Sequence, residues 1–580
     1  GVIVGSVQSG MPEHTHQTRT EVKLPTLTLE NPQLWSCESP QLYSAEVVVT
    51  ADGMVVDSLT EQFGVRSLEF SPEFGFKLNG KKMFLQGNAN HHDLGALGAA
   101  CYDRAIERMM LQLKSFGYNC IRCSHNPYSD SFARIADRVG ILVVDELTDK
   151  WSNNDYWGGR QPFTHIWHKL ITEWIKRDRN RPSIILWSLG NELQIREGWA
   201  GFEGTNDWGI TTYNIFNQLV KRWDHTRLTT VAMFPARAGA ITRHDKEFND
   251  YLVPPELACA TEVASFNYQS DKYDVYLKYR PDLILFQSEA ETSNLLQPYY
   301  NMDRKRTVGM AYWGSVEYWG ESNKWPKKGW NYSFFGHTMR PYPQAYLIKS
   351  AFMPEIPEVH IGVVDAAGAE SVSWNDVVVG RMALNECWNH TPGSRQSLFA
   401  FTNAHSVELL VNGQSMGVQE NDTTQANRRN MIYWKDVPYG NGGSVVAIAR
   451  DKSGKEVARH RIETAGKAVA LRIEAETPAD WKADGMDLQY INVTAIDKKG
   501  RPVWDYNEPL TLQMEGVARL VALDNGDHYT DELFHGITSK RMYQGRMQII
   551  LRSDQKAGNV MVKVFSAGLK GTLRLKTINE

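Results

Sequence analysis

Ile184-Ile185-Leu186-Trp187-Ser188-Leu189-Gly190-Asn191-Glu192 is an apolar run that stops at a carboxylate, and Leu283-Ile284-Leu285-Phe286-Gln287-Ser288-Glu289 repeats the pattern further along the chain. Bulky and β-branched residues in runs of this length read as buried parallel strands, with the last side chain emerging where the sheet meets solvent. Two such strands aim two carboxyl groups at one mouth. Breaking a glycosidic bond needs such a pair, because one group protonates the leaving oxygen while the other attacks or activates water. The plainer account is that each glutamate is a solvated strand cap, and spacing alone does not separate the two.

Working outward, apolar runs near 83–89, 118–124, 141–146, 184–190, 228–233, 263–268, 283–288 and 309–315 alternate with amphipathic stretches such as 104–114. Eight strand-then-helix units predict a (β/α)8 TIM barrel over 68–353, with reactive groups at the C-terminal strand ends. Polar residues do end the runs: Asn90-His91-His92-Asp93, Arg122 with His125, Asp145-Glu146, Asn191-Glu192, Asn267-Tyr268 and Glu289. On either side the period falls to two, as in Tyr43-Ser44-Ala45-Glu46-Val47-Val48-Val49. This predicts a partial immunoglobulin-like β-sandwich domain over 1–67, an immunoglobulin-like β-sandwich over 354–467 and a C-terminal β-sandwich over 468–580. The expected fold class is therefore multidomain, a (β/α)8 TIM barrel flanked by immunoglobulin-like β-sandwich domains, as 580 residues far exceed a single core.

Composition narrows the function. With 63 basic against 67 acidic residues and no block of like charge, electrostatic capture of nucleic acid or an anionic membrane is not expected. No apolar run is long enough to span a membrane. The aromatic side chains suit stacking on sugar rings, and equally the filling of sandwich cores. Cys120 and Cys123 have C-x-x-C spacing, but inside an apolar strand pattern with no second pair, so buried thiols are expected rather than zinc ligands. The N-terminus lacks the basic-then-apolar plan of a signal peptide; a periplasmic or secreted location is expected over a cytoplasmic one.

Asn31-Pro32-Gln33-Leu34-Trp35-Ser36, Phe63-Gly64-Val65-Arg66, Asn119-Cys120-Ile121-Arg122-Cys123-Ser124-His125-Asn126-Pro127, Val144-Asp145-Glu146, Trp187-Ser188-Leu189-Gly190-Asn191-Glu192 and Tyr312-Trp313-Gly314 follow one another in an order that resembles glycoside hydrolase family 2, the β-galactosidases, β-glucuronidases and β-mannosidases. The resemblance implies that Glu192 is the general acid/base, that Asn191 binds the sugar 2-hydroxyl, and that Glu289 is the nucleophile. It places Arg122 beside Glu289, Tyr268 as a hydrogen-bond donor to the same carboxylate, and His91, His125 and Trp313 against the sugar, the indole as a stacking floor. Arg122 could instead be a structural ion-pair partner within the barrel, and the two histidines satisfied core residues. Glu291 rivals Glu289, since period two puts both on one face of an extended chain. Glu289 is preferred because it closes the apolar run and because the family commonly carries Ser-Glu there.

Three departures from the family pattern bear on function. These residues are expected to enter the immunoglobulin-like domain midway, without the jelly-roll domain that normally precedes it. Lys150 and Ser152 stand about where metal-dependent β-galactosidases carry a Glu and a His, so neither magnesium nor any other cofactor is expected; Glu146 and Asp149 are a weak cation signal. The Asn-x-Lys clamp of the glucuronidases has no clean match near Asn331-Tyr332-Ser333-Phe334-Phe335, which favours a neutral sugar over a uronic acid. The expected activity is that of a retaining exo-β-glycosidase, foremost on β-D-galactosides. Its alternatives are β-glucuronidase, β-mannosidase or a non-catalytic carbohydrate-binding protein. The expected partner is an oligosaccharide or glycoside, and homo-oligomerisation is left open. The loops Trp151–Pro162 and Ser322–Trp330, the latter with Lys324, Lys327 and Lys328, either line outer subsites or cover the barrel rim.

Overall fold

A computed structural model describes residues 2–11, 22–151, 163–193, 209–234, 254–322, 325–365, 369–374 and 377–579. Ser152, Lys324 and the 152–162 loop lie outside the described residues.

Eight parallel strands close into a barrel. They are β1 (Leu85–Asn90), β2 (Cys120–Cys123), β3 (Leu142–Glu146), β4 (Ile184–Asn191), β5 (Leu228–Met233), β6 (Val263–Asn267), β7 (Leu285–Ala290) and β8 (Gly309–Trp313). Each matches its predicted run to within two residues at either end, and β8 pairs with β1 to shut the cylinder. Period two sorts the side chains: Ile121 and Val143 join the layer under the helices, whereas Cys120, Leu142 and Val144 pack inside. The same alternation turns Arg122 and Glu146 inward, at the C-terminal ends of β2 and β3.

Helix α1 (Asp103–Ser115) lays Ile106, Met109, Met110 and Leu113 on the barrel, the stripe its spacing dictates. Helix α2 (Asp130–Val139) is bounded by its sequence. The Ser129 hydroxyl accepts from the Phe132 N–H, and Gly140 ends the helix in left-handed backbone with φ 77°. Below β1, a three-stranded sheet of Leu68–Ser71, Gly75–Leu78 and Lys81–Met83 closes the barrel floor, with Phe76 and Leu78 in the interior cluster. Gly75 (φ 72°) lies where a Cβ would meet the Thr307 carbonyl oxygen at 2.3 Å, so only glycine fits there.

The helical pattern stops at Phe352, the end of the helix Pro343–Phe352. Beyond it stand two sandwiches, each of two four-stranded antiparallel sheets. The first is built on Trp388, Leu398, Val407 and Val445, and the second on Trp481, Ile491, Ile549 and Val562. Arg104 of α1 makes a bidentate pair with Asp487 at 2.9 Å, and Arg108 pairs with Glu476 at 2.6 Å, which ties the second sandwich to the barrel. Ahead of the barrel, Tyr43–Ala51 and Met54–Phe63 form an antiparallel hairpin that among the described residues is a two-stranded sheet of its own, in which the cross-strand pair Val47 and Leu59 is 44% and 64% exposed. All six cysteines are free thiols, with Cys120 and Cys123 buried. Among the described residues no helix is long and apolar enough to cross a membrane.

Candidate active site

The C-terminal ends of β2, β3, β4, β6 and β7 converge on one buried polar network. At its centre is Arg122, fully enclosed by the barrel. Its guanidinium donates to Glu289 Oε1 at 2.7 Å, to Glu146 Oε2 at 2.7 and 3.1 Å, and to Asn191 Oδ1 at 2.9 Å. A buried cation is tolerable only with such partners. Despite burial, Glu146 and Glu289 hold it charged, above even the ordinary arginine range. The ion-pair account of Arg122 therefore applies together with its contact to Glu289.

Glu289 also accepts from the Tyr268 hydroxyl at 2.7 Å, on its other oxygen. Glu291 makes neither contact: it lies beyond the end of β7 and accepts from Asn294 Nδ2 at 2.6 Å. Period two ceases to apply because β7 ends at Ala290, after a register shift against β8. Glu192 follows β4 in left-handed backbone (φ 49°), anchored by its N–H on the Ala232 carbonyl at 2.8 Å. Tyr268 follows β6 in the same way (φ 59°), with its N–H on the Glu289 carbonyl at 2.8 Å. Burial and then the neighbouring Glu289 push the Glu192 carboxyl up to about 8, against the pull of Lys150 and a 3.1 Å hydrogen bond from Asn267. At neutral pH Glu192 keeps its proton.

Asn191 is engaged at both ends of its amide. The oxygen accepts from Arg122 and, at 3.0 Å, from Asn267; the nitrogen donates to Asp149 Oδ1 at 3.1 Å and stands 3.3 Å from His125 Nε2. His125 Nδ1 pairs with Glu146 Oε1 at 2.6 Å, and its ring stacks on Trp313 at 5.3 Å with 7° between planes. His91 meets both rings edge-on and lies 3.6 Å from Glu321. Trp313, at 3% exposure, thus presents one face to His125, so the expected sugar-stacking floor is half occupied by protein.

Three partners carry no catalytic assignment in the sequence reading. Glu146 bridges Arg122 and His125 and accepts from Ser188 at 2.6 Å. Although burial by itself raises a carboxyl, Arg122 and His125 bring Glu146 below its ordinary range. Its signal was an acid closing β3 level with Arg122. Asn267, which joins Asn191 to Glu192, likewise closes a strand. Glu321 had no signal, since it reaches His91 from the loop beyond β8. Where a cation could sit near Asp149, the Lys150 ammonium already donates to Asp149 at 2.5 Å and to the Asn191 carbonyl at 3.0 Å.

Comparison with known proteins identifies the family of the domains that carry this network. Residues 73–305 match the TIM barrel domain of glycosyl hydrolases family 2, residues 3–66 the family described as glycosyl hydrolases family 2, and residues 471–573 the glycoside hydrolase family 2 C-terminal domain 5. Residues 393–458 match a domain of unknown function. A β-galactosidase from Bacteroides ovatus, BoGH2A, is 28% identical over 94% of this chain and 67% of its own. A putative β-glucuronidase from Formosa agariphila is 40% identical over 97% of this chain, which spans 55% of that relative. The crystal structure of a glycosyl hydrolase family 2 member from Bacteroides cellulosilyticus DSM 14838 superposes with a TM-score of 0.79 at 30% identity, covering 94% of this chain and 69% of that one.

Proposed function

Since the chain belongs to glycoside hydrolase family 2, we propose that it is a retaining exo-β-glycosidase acting through Glu289 and Glu192. The observation that carries this reading is the contrast between the two carboxyl groups. Glu192 is dry and protonated at neutral pH, while Glu289 is met on both oxygens by donors, Arg122 and Tyr268. Pairs set apart in this way divide into an acid and a nucleophile. A Glu289 oxygen attacks the anomeric carbon as Glu192 passes its proton to the departing glycosidic oxygen. Glu192 then takes a proton from water, which displaces Glu289 and frees the sugar with its configuration retained. Asn191 meets the sugar 2-hydroxyl by exchanging one of its contacts to Asp149 or His125. Lys150 serves as a built-in cation beside Asp149, which supports chemistry without magnesium at the barrel mouth.

The sugar is a neutral β-D-galactoside in our reading, because the stretch Asn331-Tyr332-Ser333-Phe334-Phe335 offers no clean match to a uronate clamp. A β-glucuronide is the second reading, favoured by the name of the 40% identical Formosa agariphila relative. A panel of nitrophenyl β-galactoside, β-glucuronide and β-mannoside separates them by relative kcat/KM. Labelling by the matching 2-fluoro glycoside, located by peptide mass, tests the nucleophile. A label on Glu289 is expected; saturable sugar binding with no label on any glutamate would replace the hydrolase by a lectin.

A further inference from the structure

A second polar cluster lies in the seam between the barrel and the C-terminal sandwich. Glu317 and His337 come from the chain beyond β8, and His528 from the loop Asp524-Asn525-Gly526-Asp527-His528. All three are buried, and one ligand-type atom of each falls within 4.8 Å of the others. Glu317 Oε2 is 3.2 Å from His337 Nδ1 and 3.1 Å from His528 Nε2. Bonds of about 2.0–2.1 Å to a four-coordinate zinc ion set its ligands roughly 3.3 Å apart, close to both of these spacings; an ion would take the place of the hydrogen bond between His337 Nδ1 and Glu317 Oε2, which also accepts the His337 backbone N–H at 3.1 Å.

The histidine from the sandwich is the least satisfied of the three. His528 is 4% exposed, yet neither of its ring nitrogens has a hydrogen-bond partner; Nε2 is close to Glu317 but off the line of a hydrogen bond. His528 Nε2 is thus a buried nitrogen beside the carboxylate that is not used up by a well-aligned hydrogen bond. The surroundings hold the donors in place. Asp524 Oδ1 stands 3.0 Å from His337 Nε2, the carboxylate–histidine pairing that orients metal ligands. Tyr342 donates to the other Glu317 oxygen at 2.8 Å, with Arg381 3.7 Å from it. Trp319 packs on both imidazoles at 4.6 and 4.9 Å. A cavity of about 630 Å³ borders Glu317, Asp524 and His528 and gives ion and water a way in. A second such group among the described residues, His360, Glu386 and His460, is less suited. Its imidazoles stack at 4.0 Å, so their in-plane lone pairs do not converge, and His460 Nδ1 already accepts the Ile361 N–H at 3.0 Å.

We propose that Glu317 Oε2, His337 Nδ1 and His528 Nε2 ligate a divalent transition metal, zinc by the character of the donors, with a cavity water as the fourth ligand. The metal staples the C-terminal sandwich to the segment beyond β8. The site is independent of the hydrolase reading.

The test uses the full chain, stripped with EDTA and dialysed, then titrated calorimetrically with zinc and, in parallel, with cobalt while the visible spectrum is recorded. One equivalent of zinc per chain and four-coordinate cobalt bands are expected. His528→Ala should weaken zinc at least about 100-fold, beyond the cost of losing an outer-shell partner, while His460→Ala leaves it unchanged. Lack of saturable binding to the wild-type chain overturns the proposal whether or not the variants fold. So does binding that survives His528→Ala or vanishes with His460→Ala, and the triad is then a hydrogen-bonded network only.

Discussion

At the scale of single residues, the proposed chemistry rests on which proton sits where. A carboxyl pushed up to about 8 is the required acid below that pH and loses its proton above it. The kcat/KM profile should therefore fall about tenfold per pH unit on the alkaline side of about 8. Glu192→Gln should abolish that limb while sparing substrates whose leaving groups need no proton. The same raised value has a consequence for stability. The folded state holds a proton that the unfolded chain releases between its ordinary carboxyl range and about pH 8, so wild-type stability declines across that window as pH rises. Glu192→Gln should melt at a higher temperature than wild type at pH 8, with the gap closing toward pH 4. Replacing Glu289 by Gln should lower kcat by about 10⁴-fold or more, whereas Glu291→Gln stays within an order of magnitude of wild type; the reverse result reassigns the nucleophile. Glu146→Gln leaves Arg122 and His125 facing a neutral amide inside the barrel. A loss of about 3–5 kcal/mol in chemical denaturation is expected for breaking such a buried pair.

At the scale of elements, the strands were legible because buried parallel strands write themselves as apolar runs, and α1 because its stripe recurs at helical spacing. The inward turn of Arg122 and Glu146 follows from alternation alone. What alternation does not carry is the backbone beyond a strand end. Glu192 and Tyr268 reach the network from left-handed conformations, which cost about 1–2 kcal/mol for a side chain with a Cβ, and no spacing rule announces them. The half-covered face of Trp313 likewise depends on a contact between β8 and the loop after β2. Closure of the barrel makes its own demand. A Cβ on Gly309 would fall 2.3 Å from Leu85 Cβ and 2.5 Å from its carbonyl oxygen, where β8 meets β1. Gly309→Ala should destabilise by about 1–3 kcal/mol as an overpacked contact, read as a lower denaturation midpoint.

For the molecule as a whole, the two sandwiches were legible as period-two segments, but their docking was not, since Arg104 and Arg108 read only as the polar face of α1. Both reach the second sandwich. Removing them together by Arg104→Ala and Arg108→Ala should loosen that module, and trypsin should then cut faster after the exposed Lys467. Unchanged digestion would mean that the apolar seam suffices. The hairpin ahead of the barrel has a different consequence. Among the described residues its ribbon leaves Val47, Val48, Val55, Val56 and Leu59 open to water and pairs with no further strand along either edge. Surfaces of that kind adhere to one another. A preparation of these 580 residues should therefore show growth in particle size with concentration by light scattering, and Val47→Lys or Leu59→Lys should suppress it.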